Sequence, residues 1–338
     1  MGHRSGGAKV WLRLGGFSIQ PGEFAKVALI VFFAGYLVSK RDALSLVGRR
    51  IGPIALPRGR DLGPILVIWL MSVGVLVLEK DLGQGVLLFG LFIAMLYIAT
   101  ERISWVLIGV GLFSVGAFAA TQLSFLGHVN QRFAVWSNPR AYFDGGCAIG
   151  GKIINQQSQA ALIHATSNTS DFVSKCAALG GHYADSGQPM RAMFSLGQGG
   201  VLGTGLGQGQ PYLTPVSYAD YIFDSFGEEL GLAGLMVILL LVERGMKAAL
   251  TTRDPFLKLF TGGISFIFAL QVFLIVASVT GLIPLTAGVT TPFLAQGGSA
   301  LLSNWMLIAI LIRVSDAARR PAPQPIQEEG MTQIVRTG

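Results

Sequence analysis

The chain has 338 residues, of which 51% are hydrophobic, 13% are charged and only two are cysteine. This balance excludes a disordered protein, a disulfide-dense secreted protein and a cytoplasmic globular enzyme, because it carries too much apolar surface and too little charge. The formal net charge of +7 would suit nucleic acid, but the basic residues lie in short loops between apolar segments and form no single basic surface. A membrane protein without a nucleic-acid partner is the class that remains.

Apolar segments recur along the chain at lengths close to the ~20 residues that cross a bilayer as a helix. They cover residues 22–39, 62–79, 84–100, 103–121, 226–243, 259–281 and 299–313. The apolar runs are continuous, whereas the strands of an outer-membrane barrel alternate with a period of two. The sequence therefore predicts an all-α polytopic membrane protein with about seven transmembrane helices.

Lys and Arg residues concentrate in alternate loops, such as 40–61 and 244–258, and are sparse in the long stretch 122–225. Because basic loops stay on the cytoplasmic side, we expect the long stretch to form a large extracytoplasmic loop. The predicted divisions are an N-terminal extracytoplasmic segment with four helices (1–121), the extracytoplasmic loop (122–225) with an insertion at about 141–187, three helices (226–316) and a cytoplasmic disordered tail (317–338).

Both cysteines, Cys147 and Cys176, lie in the predicted extracytoplasmic loop. On the oxidising, extracytoplasmic side of the membrane they form either a disulfide or two free thiols. A disulfide here would close about thirty residues and stabilise the loop by about 3 to 4 kcal/mol. The polar tract between them is predicted to be irregular or to contain a short helix.

Charged residues inside or beside a membrane span mark function by default, because they are expensive there. Glu23 and Lys26 are three residues apart and share one helix face, so they form a structural ion pair or belong with Gln20 to a binding site. Lys80 and Asp81, in a turn between two spans, are either solvated or line an outer cavity for a phosphorylated or sugar substrate.

Three acidic residues spaced four apart lead into the fifth span: Asp220, Asp224 and Glu228. On a helix their carboxylates lie along one face, where mutual repulsion is unfavourable unless a cation or a proton is present. Such a ladder suits a general base or the ligands of Mg²⁺ or another divalent cation. The alternative is that the acids only stabilise a helix N-terminus.

Two further segments break the apolar pattern. The glycine-rich stretch 194–210 lacks the GK[ST] ending of a Walker loop and the preceding strand of a Rossmann motif, so it is either closely packed backbone or a phosphate-binding loop. The stretch 281–305 contains Pro284, Pro292 and a Gly297–Gly298 pair, and irregular backbone at membrane depth is expected only where it is buried or lines a cavity.

Taken together, these segments resemble the SEDS family of polytopic membrane proteins (shape, elongation, division and sporulation), which includes FtsW, RodA and SpoVE. The similar segments are GAKVWLRLGGFSIQPGEFAK (family GA-x-RW…QPSEFAK), KDLGQ (PDLGT), HVNQRFAVWSNP (HxQxR…NP), FSLGQGGVLGTGLGQGQ, ADYIFDSFGEELG (TDFIFAVIGEELG) and GLIPLTAGVTTPFLAQGGSALL (G-x-x-P-x-TG-x-x-x-PF-x-SYGGSS). Six segments in the same order make the resemblance specific, although the insertion has no counterpart in the family pattern.

The resemblance implies a peptidoglycan glycosyltransferase of the bacterial plasma membrane, which polymerises lipid II during cell elongation or division. It implies that Asp220 is the catalytic base of an inverting transfer with undecaprenyl pyrophosphate as the leaving group. Residues expected to contact substrate are Gln20, Glu23, Lys26, Lys80, Asp81, Arg132, Arg191, Glu228, Gly297, Gly298 and Ser299, with Asp224 as a weaker candidate for a metal ligand. Implied partners are membrane lipids and a class B penicillin-binding protein with transpeptidase activity.

Members of this family have ten spans, and the QPSEF motif precedes the fourth. The seven spans here thus look like spans four to ten, with the first three absent. Several motif residues also differ from the family pattern: Gly22, Gln84, Ala219 and Tyr221. These departures leave two alternatives open, a lipid II flippase or other transporter, and a non-catalytic scaffold for a transpeptidase.

Overall fold

The computed structural model describes residues 2–5, 8–14, 17–45, 49–51, 54–56, 63, 67, 70, 82–122, 127–143, 145–150, 152–166, 168–219, 221–284 and 289–319. The first half contains β1 (Gly2–Ser5), β2 (Ala8–Leu14), β3 (Phe17–Ile19), α1 (Pro21–Ser45), β4 (Arg49–Ile51), β5 (Ile54–Leu56), α2 (Leu82–Thr100), α3 (Ile103–Gln122) and α4 (Gly127–Ser137). The second half contains β6 (Gly146–Ile149), β7 (Lys152–Asn155), α5 (Gln156–Gln159), α6 (Thr169–Ala178), β8 (His182–Ala184), α7 (Gly187–Gly199), α8 (Ile222–Thr251), α9 (Pro255–Val279) and α10 (Gly298–Arg319). Short 3₁₀ turns cover Ala160–Ile163 and Pro211–Leu213.

Within these described ranges, five helices are long and apolar enough to cross a membrane, judged by length and composition. They are Pro21–Lys40, Gly83–Thr100, Ile222–Thr251, Pro255–Val279 and Gly298–Arg319, and α3 adds a shorter apolar stretch at Ile103–Gly116. The predicted all-α polytopic fold is confirmed, and six of the seven predicted spans coincide with a helix. The span predicted at 62–79 lies outside the described residues, apart from three isolated positions.

Helices α1, α2 and α9 form the centre of the helical body. Their facing side chains are fully buried, as at Phe33 on α1, Leu91 on α2 and Ile264 on α9. The absence of a side chain at Gly90 lets Leu270 of α9 approach α2, because a Cβ at that position would overlap its Cδ2 atom. Close packing through small residues is how membrane helices associate when lipid is as apolar as the helix faces.

The insertion is more ordered than the sequence predicts. The short helix predicted between the cysteines is present as α5 and α6. The structure adds a three-stranded antiparallel sheet that the sequence did not predict, in the order β7-β6-β8 and with α6 packed beside it. A disulfide joins Cys147 of β6 to Cys176 of α6, with an S–S distance of 2.02 Å. Both sulfur-bearing side chains are buried with Phe172 in a small core that belongs to the insertion itself.

Two further small sheets lie in the N-terminal part. Strands β1, β2 and β3 form an antiparallel sheet ahead of α1, and β4 pairs with β5 in the loop that follows it. At the other end, α10 continues to Arg319, three residues into the predicted tail 317–338, whose remaining residues lie outside the described part.

Candidate active site

A buried ion pair stands at the start of α1. The Lys26 ammonium lies 2.6 Å from a carboxylate oxygen of Glu23, and both side chains are completely buried. The two residues share a helix face because they are three apart, as the sequence predicts. A buried pair is stable only when further hydrogen bonds satisfy the remaining polar atoms.

Those further hydrogen bonds come from segments that are distant in sequence. Glu23 accepts from Gln84 Nε2 of α2 at 2.9 Å, from Thr290 Oγ1 at 3.1 Å and from Ser303 Oγ of α10 at 3.1 Å. Lys26 donates to Asn304 Oδ1 of α10 at 3.0 Å. These six residues, which we call the polar network, join the QPGEFAK, KDLGQ and GLIPLTAGVTTPFLAQGGSALL segments of the sequence.

Two more contacts extend the polar network toward the acidic motif. The backbone N–H of Gln20 donates to Ser299 Oγ at 3.0 Å, close to the Gly297–Gly298 pair at the start of α10. The backbone N–H of Gln296, just before that pair, donates to the carbonyl of Tyr218 at 3.0 Å. Tyr218 lies two residues before Asp220, so the chain that leads into the acidic motif is tied to the same corner of the fold.

The predicted catalytic residue, Asp220, lies outside the described residues, as do Lys80 and Asp81. Its described neighbours have defined positions. Tyr221 is 3% exposed and belongs to the main hydrophobic core, and its N–H donates to the carbonyl of Val216 at 3.3 Å. The roles assigned to these three residues from the sequence stay predictions.

Glu228 is buried and fixes the loop that follows α7. One carboxylate oxygen accepts from Ser195 Oγ of α7 at 2.6 Å, and the other accepts from the N–H of Gln210 at 2.9 Å. This arrangement gives Glu228 a structural role that the sequence did not indicate. Its predicted contact with substrate remains a prediction.

The glycine-rich stretch packs directly against α8, where Gly231 interrupts the helix with φ 66° and ψ −172°. The freed carbonyls of Glu228 and Glu229 accept from the N–H groups of Thr204 and Gly205, at 2.8 and 3.0 Å. In return, the N–H groups that follow the break donate to the glycine-rich loop: those of Leu232 and Ala233 reach the carbonyls of Gly200 and Val201. Of the two interpretations of this stretch, the structure favours close backbone packing, because these amides already have acceptors.

Asp224 is also completely buried, so Asp224 and Glu228 do not form a solvated acidic surface. Neither carboxylate oxygen of Asp224 has a hydrogen-bond partner among the described residues. A cation would satisfy them, but no group of three or more His, Cys, Asp or Glu side chains stands at metal-binding distance in the described part of the chain. The described residues alone therefore do not make a Mg²⁺ site.

The two arginines expected to contact substrate lie on different helices outside the polar network. Arg132 is half-buried on α4. Arg191 is exposed on α7, and its guanidinium carbon lies 6.0 Å from the centroid of the Phe143 ring, a cation–π distance. The structure thus groups Gln20, Glu23, Lys26 and Ser299 in one place and puts Glu228 and Arg191 elsewhere.

Thr290, Ser303 and Asn304 are site residues that sequence reasoning missed. A signal was present, because Ser299, Ser303 and Asn304 place three polar side chains on one face of an otherwise apolar helix, α10. Small polar residues on one face of a membrane helix indicate contact with another helix or with a polar group inside the bundle.

The profile of the FTSW_RODA_SPOVE family, described as "Cell cycle protein", matches residues 1–162 and 166–320. The chain belongs to this family. Members of the FtsW/RodA/SpoVE family that resemble it include the peptidoglycan glycosyltransferase RodA of Mycobacterium tuberculosis, 43% identical over 93% of this chain, and the stage V sporulation protein E of Bacillus subtilis, 30% identical over 93%. The chain spans 59% of the length of that mycobacterial RodA and 73% of the length of the sporulation protein.

Solved structures of similar fold support the FtsW/RodA/SpoVE architecture. One is a chain from a structure described as "Structural coordination of polymerization and crosslinking by a peptidoglycan synthase complex", with a TM-score of 0.60 and 21% identity, covering 95% of this chain and 76% of that one. Another is the rod shape determining protein RodA of Thermus thermophilus, with a TM-score of 0.51 and 19% identity, covering 95% of this chain and 73% of that one. Together with its apolar helices, the family membership makes this chain a multi-pass membrane protein.

Proposed function

We propose that this chain is a peptidoglycan glycosyltransferase that polymerises lipid II into glycan strands at the outer face of the bacterial plasma membrane. The observation that carries the proposal is the convergence of the family motifs. The QPGEFAK and KDLGQ segments meet in the polar network, and the Gln20–Ser299 hydrogen bond joins the AQGGSA segment to QPGEFAK. The Gln296–Tyr218 hydrogen bond ties the chain beside Asp220 to AQGGSA. The relatives named peptidoglycan glycosyltransferase support the same activity.

Asp220 is the general base in this proposal. The acceptor sugar's 4-hydroxyl loses its proton to the carboxylate as its oxygen attacks the anomeric carbon of the donor. The bond to the lipid pyrophosphate breaks, undecaprenyl pyrophosphate leaves, and an α-linked donor becomes a β-linkage. One base and one site that stabilises the departing negative charge suffice for this reaction.

The polar network would serve this reaction by fixing the helix ends around the catalytic loop. Gln84 and Ser303 bring α2 and α10 to the same Glu23 carboxylate on α1, and all three side chains are completely buried. The Glu23–Lys26 pair at the centre of the polar network is hydrogen-bonded on both sides, although Asn304 Nδ2 has no hydrogen-bond partner among the described residues. Hydrogen-bonded polar groups in a buried site make it rigid. A rigid support holds a catalytic group within the small tolerance that general-base catalysis requires.

Three of the residues expected to contact substrate are basic, Lys80, Arg132 and Arg191, and in the proposal they offset the negative charge of the leaving pyrophosphate. Mg²⁺ or another divalent cation is the alternative source of positive charge, with Asp224 as a ligand from this chain. A class B penicillin-binding protein is the proposed partner, which would crosslink the strands that this chain makes.

The disulfide supports the proposed orientation of the membrane body. Disulfides persist in oxidising compartments and are rare in the cytoplasm. Cys147 and Cys176 are joined within the loop 122–225, and the same loop is poor in Lys and Arg. Both features favour an extracytoplasmic position for this loop, on the side where lipid II is polymerised.

The test is the Asp220→Asn variant of the full chain, reconstituted in liposomes with lipid II. We expect polymer formation to fall by at least ~10²-fold, because an amide cannot accept the proton. The matched control is Asp316→Asn, which changes a half-exposed carboxylate 3.5 Å from Arg313 and should leave the rate unchanged. Asp220→Asn activity close to that of the unmodified protein would remove Asp220 from the mechanism, and lipid II translocation without polymer would favour a flippase.

A further inference from the structure

A polar cavity lies between the insertion and α7. Its volume is about 540 Å³, within the range of sites that hold small molecules. We call it the insertion cavity. Its lining residues are Gln156, Gln157, Thr169, Tyr183, Asp185, Gly187, Gln188, Arg191 and Pro215. Most of these side chains are exposed or half-exposed, so the insertion cavity is open to solvent.

The insertion supplies one wall of the cavity and holds it rigidly. Tyr183 of β8 pairs with Cys147 of β6 in the sheet, and its ring packs edge-on against Phe172 with centroids 6.1 Å apart. The disulfide from Cys147 fixes α6 to the same sheet. The insertion is thus a disulfide-braced unit that presents a preformed surface to α7, and preformed surfaces bind ligands at a low entropic cost.

Gly145 makes the cavity wall possible where the insertion begins. Its φ of 91° disfavours any residue with a side chain, and a Cβ there would stand 2.7 Å from the Tyr183 hydroxyl and 2.9 Å from Gln156 Oε1. The absence of a side chain at Gly145 therefore leaves room for both polar groups beside its backbone. Gln156 Nε2 also donates to Thr169 Oγ1 at 2.9 Å, which fixes two lining side chains relative to each other.

The lining suits a neutral ligand rich in hydroxyl and amide groups. Carboxamide side chains from Gln156, Gln157 and Gln188 offer both donors and acceptors. Asp185 and Arg191 carry opposite charges, so these two side chains give the lining no net charge. Burial and the Asp185 carboxylate raise the pKa of the Tyr183 hydroxyl, so that group remains a donor at neutral pH.

The cavity is also close in sequence to the proposed catalytic residue. Pro215, which lines it, precedes Asp220 by five residues, and five extended residues span at most about 18 Å. The chain between them is held by the hydrogen bond from Gln296 to Tyr218. A strand that grows at Asp220 would therefore reach the insertion cavity after a few sugar units.

We propose that the insertion cavity binds the N-acetylated sugar chain of the growing strand and holds it while further units are added. This role rests on the proposed polymerase function. It assigns to the insertion a subsite for the polymer, which shares Arg191 with the basic residues proposed to offset the leaving pyrophosphate. The stem peptides of the strand are the competing ligand, because their carboxylates could pair with Arg191.

A binding measurement tests the subsite without any need for activity. The full chain in lipid nanodiscs is titrated calorimetrically with a tetramer of β-1,4-linked N-acetylglucosamine, and separately with the free pentapeptide of lipid II. We expect saturable binding of the sugar tetramer, weakened by about tenfold in the Gln157→Ala/Gln188→Ala double variant, since two hydrogen bonds are lost. The matched control is Gln159→Ala, which changes an exposed amide of α5 outside the lining and should bind normally.

Absence of saturable sugar binding to the unmodified chain overturns the proposal, and so does saturable binding of the pentapeptide alone. Equal affinity of the double variant and the Gln159→Ala control also overturns it. In the polymerisation assay, the double variant should shift the product toward shorter strands while Gln159→Ala does not. Failure of the unmodified chain to polymerise lipid II would refute the proposed function, whereas normal strand lengths from an active double variant would refute the subsite alone.

Discussion

The two halves of the buried ion pair should differ in their importance for stability. In the Lys26→Met variant, Glu23 keeps its three side-chain hydrogen bonds from Gln84, Thr290 and Ser303. In the Glu23→Leu variant, Lys26 keeps only its bond to Asn304 within the polar network. Glu23→Leu therefore removes more hydrogen bonds from the buried site than Lys26→Met does.

The expected loss of stability in each variant follows from these contacts. Breaking a buried pair by removing one partner costs about 3 to 5 kcal/mol, and we expect Lys26→Met near the lower value. Glu23→Leu also removes the hydrogen bonds that Gln84 and Thr290 donate to the carboxylate, and each bond to a charged group contributes about 1.5 to 3 kcal/mol. Ser303 is less affected, because its hydroxyl also lies 3.0 Å from the carbonyl of Ala300. Glu23→Leu should therefore cost at least about 2 kcal/mol more than Lys26→Met.

The assay is equilibrium unfolding of the purified full chain in detergent, for both single variants and the double variant. We expect the cost of the double variant to be about 2 to 3 kcal/mol less than the sum of the single costs. The control is Lys247→Met, which removes one partner of the exposed pair with Glu243 and should cost less than ~1 kcal/mol. Equal losses of unfolding free energy in the two single variants would refute the unequal roles of Glu23 and Lys26. Strictly additive losses in the double variant would refute the coupling between the two side chains.

Three other changes probe the supports of the site. Gly231→Ala should destabilise the protein by more than ~2 kcal/mol in the same assay, because a Cβ would collide with the glycine-rich loop, whereas Gly197→Ala, with open space around its Cβ position, should not. Ser195→Ala should cost about 1.5 to 3 kcal/mol by removing a donor from the Glu228 carboxylate; a neutral result would contradict that bond. Cys176→Ala should speed hydrogen exchange within the insertion by removing about 3 to 4 kcal/mol of loop stabilisation, and unchanged protection would show that the disulfide does not stabilise the insertion.

The helical body was predictable because its signal is local. A continuous apolar run of the right length predicts a span from its own residues alone, as for α9, where Asp254 caps the helix by accepting from Leu257 N–H at 2.8 Å and Pro255 follows it. The strands of the insertion were not predictable in the same way. Each has only three or four residues, and their pairing depends on partners up to about forty residues away.

The sequence predicts the ion pair of the polar network but not the partners that other helices contribute. Glu23 and Lys26 stand out as charges inside an apolar segment, so their pairing follows from the sequence. Ser303 and Asn304 acquire their meaning only when α10 packs against α1, more than 270 residues away in sequence. The glycine-rich stretch shows the same limit, since only the break at Gly231 distinguishes backbone packing from phosphate binding.

The most direct measurement of the central claim is the product balance of the purified full chain acting alone on lipid II in liposomes. Each sugar–sugar bond formed by the proposed reaction releases one undecaprenyl pyrophosphate. We expect equal amounts of new glycosidic bonds and released undecaprenyl pyrophosphate, and a polymer that a muramidase degrades. Disappearance of lipid II from one leaflet with no pyrophosphate release, or no turnover at all by the correctly folded chain, would contradict it.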